Sequence, residues 1–315
     1  MTALRNAGSA DGAVTLTVPP AVSLHVPSRS RYLDVRGLQY HVRTWGDPDA
    51  PKLFLLHGWM DVSASFQFLV DALQGPWQVL APDWRGFGLS ATPQDGYWFQ
   101  DYVGDLDALT RALSPDAPVC IAGHSLGANV AMVFAGARPA RVARIAALDG
   151  FGVPEETPDR APAKLVHWLD ALAHPPGFAG YRSLDAVADR LCKNNPRLAR
   201  DRALFIAAHW ASVAPDGTAT LRADPKHKLP FPTTTRMEDM VALWRAIEAP
   251  TLWVAAAESH IAGWLAGNRD PALEVARRFA YLRHGRLETM ADAGHMLHHD
   301  QPVALARLLD SFFAA

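Results

Sequence analysis

Short apolar segments recur along this 315-residue chain, and each ends in residues that favour turns. Five are well defined and a sixth is weaker: 53–56, 78–81, 118–122, 145–148, 251–256 and, weakest, 286–290. Stretches with the apolar spacing of helices lie between most of them, at 65–73, 99–113 and 126–137, and another closes the chain at 302–313. Strands that alternate with helices favour a mostly parallel sheet covered on both faces. We therefore predict an α/β fold with a doubly wound sheet.

Two parts of the chain depart from this alternation. Residues 31–45 alternate around Arg36-Gly37, which indicates an antiparallel hairpin. Between about 151 and 243 the pattern becomes helical, with segments at 163–173, 184–193 and 197–213. A helical insertion there would lie over the carboxyl ends of the strands, where open α/β sheets bind ligands. We predict a core of 31–150 and 244–315, a helical cap of 151–243, and a poorly ordered leader of 1–30 that is not a signal peptide.

Composition restricts the classes of partner. The chain carries 30 Lys and Arg against 32 Asp and Glu without a basic stripe, which argues against nucleic acid. No apolar stretch is long enough to span a membrane. Its two cysteines, Cys120 and Cys192, lack metal-binding spacing and favour reduced thiols in a cytoplasmic protein. The oligomeric state stays open.

A serine stands between two glycines where a predicted strand meets a predicted helix, in Gly123-His124-Ser125-Leu126-Gly127. A turn sharp enough to lift Ser125 Oγ from the sheet crowds the positions two residues away, where only glycine fits. The following helix would direct the Leu126 N–H at any oxygen that becomes negative there. The alternative is an ordinary tight turn in which Ser125 caps the helix.

Two more loops have the composition that acyl-transfer chemistry requires. His57-Gly58-Trp59 follows the segment 53–56, so the Trp59 N–H is a candidate second oxyanion donor, or the loop is only a strand-ending turn. His295 lies in a loop near the chain end, where it can act as a general base or be merely solvated.

Two further histidines, His298 and His299, follow His295 closely. They have no accompanying acidic ligand set, so we predict solvated or capping roles and no metal site. The loop from Asp83 to Ser90 is predicted to be structural.

These motifs together resemble one superfamily. The ordered set HGW, DWRGFGLS, GHSLG, the helical insertion and AGHMLHHDQP is similar to the α/β-hydrolases. Within them, LLHGWMDVSASFQFL and GHMLHHDQP resemble the serine hydrolase-like proteins. The resemblance covers residue 31 to the end, apart from the insertion. It implies a nucleophile at Ser125, a base at His295, oxyanion donors at Trp59 and Leu126, an acidic third member, and no metal or organic cofactor.

The acidic member is where this sequence departs from the family pattern. Many members place an aspartate after the strand that is here 251–256, and that register falls on Ser259. Glu258 lies one residue earlier, and its longer side chain can compensate. Asp149, at the tip of the strand before the insertion, is the other candidate. We favour Asp149 because that strand tip is rigid and lies beside Ser125.

The expected reaction is hydrolysis of a carboxylic ester or related acyl compound of small, apolar character. Carbon–carbon bond hydrolases and cofactor-free haloperoxidases of this fold also use serine, so they remain alternatives, as does a non-catalytic binding protein or receptor. Serine at position 125 argues against the dehalogenases and epoxide hydrolases that resemble this fold, because these use aspartate. The predicted substrate-binding residues are His57, Gly58, His124, Trp84, Phe87, Phe151 and Trp168.

Overall fold

A computed structural model describes residues 26–315. Most of the predicted leader, residues 1–25, lies outside the described residues. The first strand begins at Arg29, two residues before the predicted start of the core.

Residues 26–315 contain ten strands, of which eight follow the predicted segments closely and two lie in the insertion. Their bounds are β1 Arg29–Val35, β2 Leu38–Trp45, β3 Lys52–Leu56, β4 Gln78–Pro82, β5 Val119–His124, β6 Val142–Leu148, β7 Ala211–Val213, β8 Ala219–Leu221, β9 Thr251–Ala256 and β10 Gly285–Met290.

The helices lie between these strands and within the insertion. Their bounds are α1 Gln67–Val70, α2 Phe99–Leu113, α3 Leu126–Ala137, α4 Ala161–Ala173, α5 Leu184–Asn194, α6 Arg200–Trp210, α7 Met237–Arg245, α8 Ile261–Ala266, α9 Pro271–Phe279, α10 Leu297–Asp300 and α11 Pro302–Ala314.

Eight strands form one mostly parallel sheet, in the order β1-β2-β4-β3-β5-β6-β9-β10. Only the pairs β1/β2 and β2/β4 are antiparallel. The first pair is the predicted hairpin, and both of its turn residues have positive φ, 53° at Arg36 and 80° at Gly37, as a type I′ turn requires. Because β3, β5, β6 and β9 are neighbours, their carboxyl ends meet along one edge of the sheet.

Both faces of this sheet are covered, as the predicted fold class requires. One apolar core lies between the sheet and helices α2, α3 and α7, and it includes Phe54, Ile121 and Phe134. The other includes Leu55 and Val254 and is closed by α1 and α11. Alternate residues of the central strands thus face opposite cores, which explains their almost continuous apolar sequence.

The segment between β6 and β9 is helical but also contains a small β-hairpin. It carries α4 to α7 together with the antiparallel pair β7/β8. The predicted helix 197–213 is wrong at both ends, since α6 covers only Arg200–Trp210 and the chain then turns into β7. Gly217, with φ 86°, forms the hairpin turn. Whether the insertion behaves as a separate domain stays a prediction.

Within residues 26–315, no helix combines the length and the apolar character needed to cross a bilayer.

Candidate active site

The turn between β5 and α3 holds Ser125 in a strained backbone conformation, with φ 51° and ψ −113°. The flanking glycines are required by backbone contacts. A Cβ at Gly123 would lie 2.4 Å from the Gly127 carbonyl oxygen, and a Cβ at Gly127 would lie 2.1 Å from the Leu56 carbonyl oxygen. No side chain fits at either position. Ser125 is therefore held at the sheet edge in a strained backbone conformation. The surrounding structure must offset the free energy of that strain.

A chain of hydrogen bonds joins Ser125 to His295 and Asp149. His295 Nε2 lies 3.1 Å from Ser125 Oγ, and His295 Nδ1 lies 2.7 Å from Asp149 Oδ2. The other Asp149 oxygen accepts the Ala256 N–H at 3.2 Å, and Ser259 Oγ donates to Oδ2 at 2.5 Å. Asp149 is 2% exposed and so accepts from three donors in a buried position. This carboxylate can hold the proton of His295 on Nδ1, which leaves Nε2 to accept the serine proton.

The alternative acid, Glu258, has a different environment. Its side chain is 53% exposed and pairs with Arg197 from the insertion. Its own N–H donates to the Ala293 carbonyl, so the backbone of this residue supports the loop that carries His295. Ser259, at the register of the usual acid, contacts Asp149 instead. From the sequence alone, Ser259 is only the residue that replaces the aspartate of the family pattern.

The two predicted oxyanion donors lie beside Ser125. A Cβ at Gly58 would be 3.2 Å from Ser125 Cβ, so the peptide leading to Trp59 passes close to the serine. Leu126 is the first residue of α3, where backbone N–H groups point out of the helix. Both Trp59 and Leu126 line the same cavity as Ser125.

That cavity has a volume of about 400 Å³ and is bounded by the sheet edge and by the insertion. Ser125, Asn129 and Asp149 contribute from the sheet edge, and Trp168 and Leu172 of α4 contribute from the insertion. Residues 229–232 and Trp264 of α8 complete much of the apolar lining. The space suits a small, largely apolar ligand with one reacting polar group.

Most of the residues predicted to bind substrate do not line this cavity. Trp168 does, whereas the following do not: His57, Gly58, His124, Trp84, Phe87 and Phe151. Those with side chains are at most 2% exposed and belong to the buried core. Direct contact of these six residues with substrate stays a prediction, which their burial does not favour.

The buried residues instead fix the loops around Ser125. His57 Nδ1–H donates to the Gly58 carbonyl at 2.8 Å, and His57 Nε2 accepts the Trp84 N–H at 2.9 Å. His124 Nε2–H donates to the His295 carbonyl at 2.8 Å, so the residue before the serine supports the histidine loop. Burial, reinforced by the neighbouring His295, lowers the pKa of His124 well below its ordinary value. His124 is therefore a neutral imidazole with its lone pair on Nδ1.

The predicted solvated roles of His298 and His299 are wrong. Both side chains are buried, at 0% and 4% exposure, because α10 packs its apolar neighbours under the Ser125 turn. His298 Nε2 lies 3.7 Å from Asp61 Oδ2. Burial opposes ionisation of Asp61, but its contact with His298 and the neighbouring His299 and His57 lower its pKa to about 2. An acidic partner for these histidines thus comes from the distant loop after β3, which local spacing did not reveal.

The loop from Asp83 to Ser90 has structural contacts that agree with its prediction. Asp83 accepts the N–H groups of Ser63 and Leu89, at 2.7 and 2.9 Å. Arg85 pairs with the buried Asp105 on α2, at 2.6 Å from its Nε.

One histidine of the insertion was not identified from sequence. His227 lies between the rings of Phe87 and Tyr97, with centroid distances of 3.7 and 3.5 Å. Its backbone carbonyl accepts the Trp59 indole N–H at 3.2 Å. The insertion is thereby joined to the loop that carries a predicted oxyanion donor. The stretch Asp224-Pro225, a helix-start pattern, was the only local sign of an ordered segment there.

Comparison with known families gives one extensive match. The sequence profile of the family described as "alpha/beta hydrolase fold" matches residues 51–302.

Individual relatives and structures agree with this match. A serine hydrolase-like protein of Danio rerio is 38% identical over 120 residues, covering 37% of this chain and 36% of the relative. One of Dictyostelium discoideum is 26% identical over 246 residues, covering 74% of this chain and 65% of the relative. The matched part therefore spans less than two thirds of either relative. The solved structure of a hypothetical protein from Pseudomonas aeruginosa superposes with a TM-score of 0.80 at 26% identity, covering 91% of this chain and 99% of that one.

Proposed function

Because the chain belongs to the α/β-hydrolase fold family, we propose that it is a serine hydrolase that cleaves a carboxylic ester or a related acyl bond. The observation that supports this proposal most strongly is the hydrogen-bonded series Asp149, His295, Ser125, whose serine faces the cavity. Such a series, nucleophile to base to orienting acid, is the arrangement that activates a serine hydroxyl.

The first half of the proposed reaction forms an acyl-enzyme. His295 Nε2 accepts the Ser125 proton as Oγ attacks the carbonyl carbon, and Asp149 stabilises the resulting imidazolium. The N–H groups of Trp59 and Leu126 donate to the negative carbonyl oxygen. When the carbonyl re-forms, the bond to the leaving group breaks and His295 gives that group its proton.

The second half releases the acid. Water gives a proton to His295 and attacks the acyl carbon, and the same two amides stabilise the second oxyanion. Ser125 Oγ then leaves and takes back the proton. The buried position of Asp149 and its three donors keep the carboxylate fixed through both halves.

The shape of the cavity supports a small acyl group of apolar character. Trp168, Leu172 and Trp264 line it with apolar surface, and Ser125 and Asn129 contribute polar groups. We expect p-nitrophenyl esters of short and medium chain length to be hydrolysed with the highest kcat/KM, and long chains to exceed the space.

A fluorophosphonate probe with peptide mass spectrometry tests the proposal. We expect covalent labelling of Ser125 in the folded protein, lost in Ser125→Ala and reduced in His295→Ala. Ser212→Ala, in an exposed strand of the insertion, is the matched control and should label fully. Absence of labelling in folded protein would contradict a hydrolase and would instead favour a ligand-binding protein of the same fold.

A further inference from the structure

Behind the Ser125 turn lies a second group of side chains that the proposed reaction does not use. One ligand atom from each of Asp61, His124 and His298 lies within 4.8 Å of the other two. We call these three residues the Asp–His–His cluster. All three are buried, at 6%, 2% and 0% exposure.

The nitrogens of this cluster lack ordinary partners. His124 Nδ1 and both ring nitrogens of His298 have no hydrogen-bond partner among residues 26–315, although these atoms are shielded from solvent. His124 uses its Nε2–H on the His295 carbonyl, so Nδ1 carries a free lone pair. Buried polar atoms without partners are destabilising, so three such nitrogens in one cluster point to a ligand.

We propose that the Asp–His–His cluster binds a divalent transition metal ion of the Zn²⁺ class. Two imidazoles and one carboxylate form a donor set that suits zinc, with ligand distances of about 2.0 to 2.2 Å. Three atoms within 4.8 Å of one another leave a point no more than about 2.8 Å from each. Side-chain shifts of less than about 1 Å would therefore bring all three donors to ligand distance, and a water molecule would supply the fourth ligand of a tetrahedral ion.

The carboxylate of the cluster is already held in place. Asp61 Oδ1 accepts its neighbour Val62 N–H at 2.9 Å, and Oδ2 accepts Ser65 Oγ–H at 2.8 Å. Each carboxylate oxygen retains a lone pair for a metal. Hydrogen-bonded ligating carboxylates are typical of metal sites, since outer contacts fix the ligand orientation.

The position of the cluster indicates what the ion would do. Asp61 follows Trp59 by two residues, His124 precedes Ser125, and His298 follows His295 by three. One ion would thus join the three loops that carry the proposed oxyanion donor, nucleophile and base. Its role is structural, and it stands independently of the proposed hydrolysis.

The proposal departs from the absence of a metal predicted from sequence. That prediction relied on the lack of an acidic ligand near His298 along the chain. The fold supplies one from the loop after β3, more than two hundred residues away in sequence.

Metal loading of the full chain tests the site. Protein refolded with ZnCl₂ or CoCl₂ and then freed of excess metal should retain one metal ion per chain, as measured by elemental mass spectrometry. The cobalt form should show the intense visible absorption of a tetrahedral ion. Its melting temperature should exceed that of the metal-free protein by at least about 4 °C.

Two variants and one control locate the ion. His298→Gln and Asp61→Asn should each lose the cobalt spectrum and the increase in melting temperature. His174→Gln, which alters an exposed histidine at the end of α4, should keep both. If one variant fails to fold, the other variant and the wild-type metal content still decide the question.

Three outcomes would overturn the site. The refolded wild-type protein could hold less than one equivalent of metal, its melting temperature could be the same with and without metal, or both variants could bind metal as the wild type does. The first two would indicate that His298 and Asp61 form only a buried contact. Fluorophosphonate labelling is measured separately, so failure of the metal site leaves the proposed hydrolase function untouched.

Discussion

Two donors converge on one oxygen of Asp149. His295 Nδ1 and Ser259 Oγ both bond to Oδ2, while the Ala256 N–H bonds to Oδ1. Ser259 occupies the position where many family members carry the acid, and here it donates a hydrogen bond to Asp149 at the end of the neighbouring strand β6. A carboxylate with this many donors has little rotational freedom, so it holds the His295 ring in one orientation.

Exchange of the two candidate acids separates their roles. We expect Asp149→Asn to lower kcat by a factor on the order of 10⁴, since the amide cannot stabilise the imidazolium. Glu258→Gln should stay within about twofold, because its exposed pair with Arg197 contributes little. Steady-state kinetics on a p-nitrophenyl ester measures both. A large loss in Glu258→Gln with an active Asp149→Asn would reverse the assignment.

Ser259 is a positioning residue in the proposed mechanism. Ser259→Ala removes a hydrogen bond to a charged acceptor, worth about 1.5 to 3 kcal/mol, so kcat should fall roughly tenfold or more. KM should remain unchanged and Ser259→Thr should restore the rate, because the hydroxyl reaches Asp149 and not the substrate. Equal losses in the alanine and threonine variants would show that the side chain acts only through packing.

The sequence alone predicts some of the candidate site residues but not all of their contacts. Ser125 and His295 follow from local motifs, because a strand-to-helix turn and a terminal loop leave strong patterns. Tertiary contacts are what favour Asp149 over Glu258 as the proposed acid, since both obey the same chain order. The contact of His298 with Asp61 left no local signal, because Asp61 is distant in sequence.

At the scale of single elements, the contact between α3 and β3 sets the position of the Ser125 turn. Gly127 lies against the Leu56 carbonyl, and Gly123 lies against Gly127. Both contacts are between backbone atoms, so neither can relax through a side-chain rotation. The glycine pattern is therefore a requirement of packing between neighbouring elements.

We expect Gly127→Ala to destabilise the protein by several kcal/mol or to prevent folding, because the new Cβ would lie 2.1 Å from the Leu56 carbonyl oxygen. Gly263→Ala in α8 is the matched control, since nothing lies within 4 Å of a Cβ there. That substitution should be neutral or stabilise by up to about 1 kcal/mol. Urea denaturation followed by circular dichroism measures both, and equal stability of the two variants would contradict the packing argument.

Element prediction succeeded where one pattern held without interruption. The bounds of α2 and α3 match those read from the sequence, because their apolar spacing is regular. The hairpin β7/β8 was missed because the helical spacing before it seemed to continue to residue 213. The alternation after residue 210 and the turn residues Asp216-Gly217 did carry a hairpin signal, but strands of three residues are too short to stand out.

Across the whole molecule, buried neutral histidines make stability depend on pH. Burial lowers the pKa of His227 to about 4 and that of His299 to about 3. In the unfolded chain both would titrate near pH ~6.5. The unfolded state therefore binds more protons between these values, and stability falls as the pH falls below about 6.5.

Urea denaturation at pH 7 and pH 5 measures this effect. We expect a lower free energy of unfolding at pH 5, with His227 alone accounting for about 2 kcal/mol of the difference. His227→Gln should reduce the difference by about that amount, whatever its stability at pH 7. A free energy that is equal at the two pH values would contradict the neutral, buried state of these residues.

The general architecture was predictable because it follows from the order of elements, which alternating patterns reveal. The composition of the cavity was not, since it joins the sheet edge to an insertion whose docking depends on tertiary contacts. Leu165 and Leu169 of α4 show the limit: both are large apolar residues at helical spacing, yet both are about half exposed, at 46% and 51%.

The hydrogen bond from the Trp59 indole to the His227 carbonyl makes turnover depend on a region that need not touch the reacting carbonyl. Evolution of residues 225–232 for a new acyl group would also shift the peptide beside Ser125. Substrate selectivity and kcat should then change together. Grafting residues 225–232 from a relative should alter kcat even for a substrate that both proteins accept.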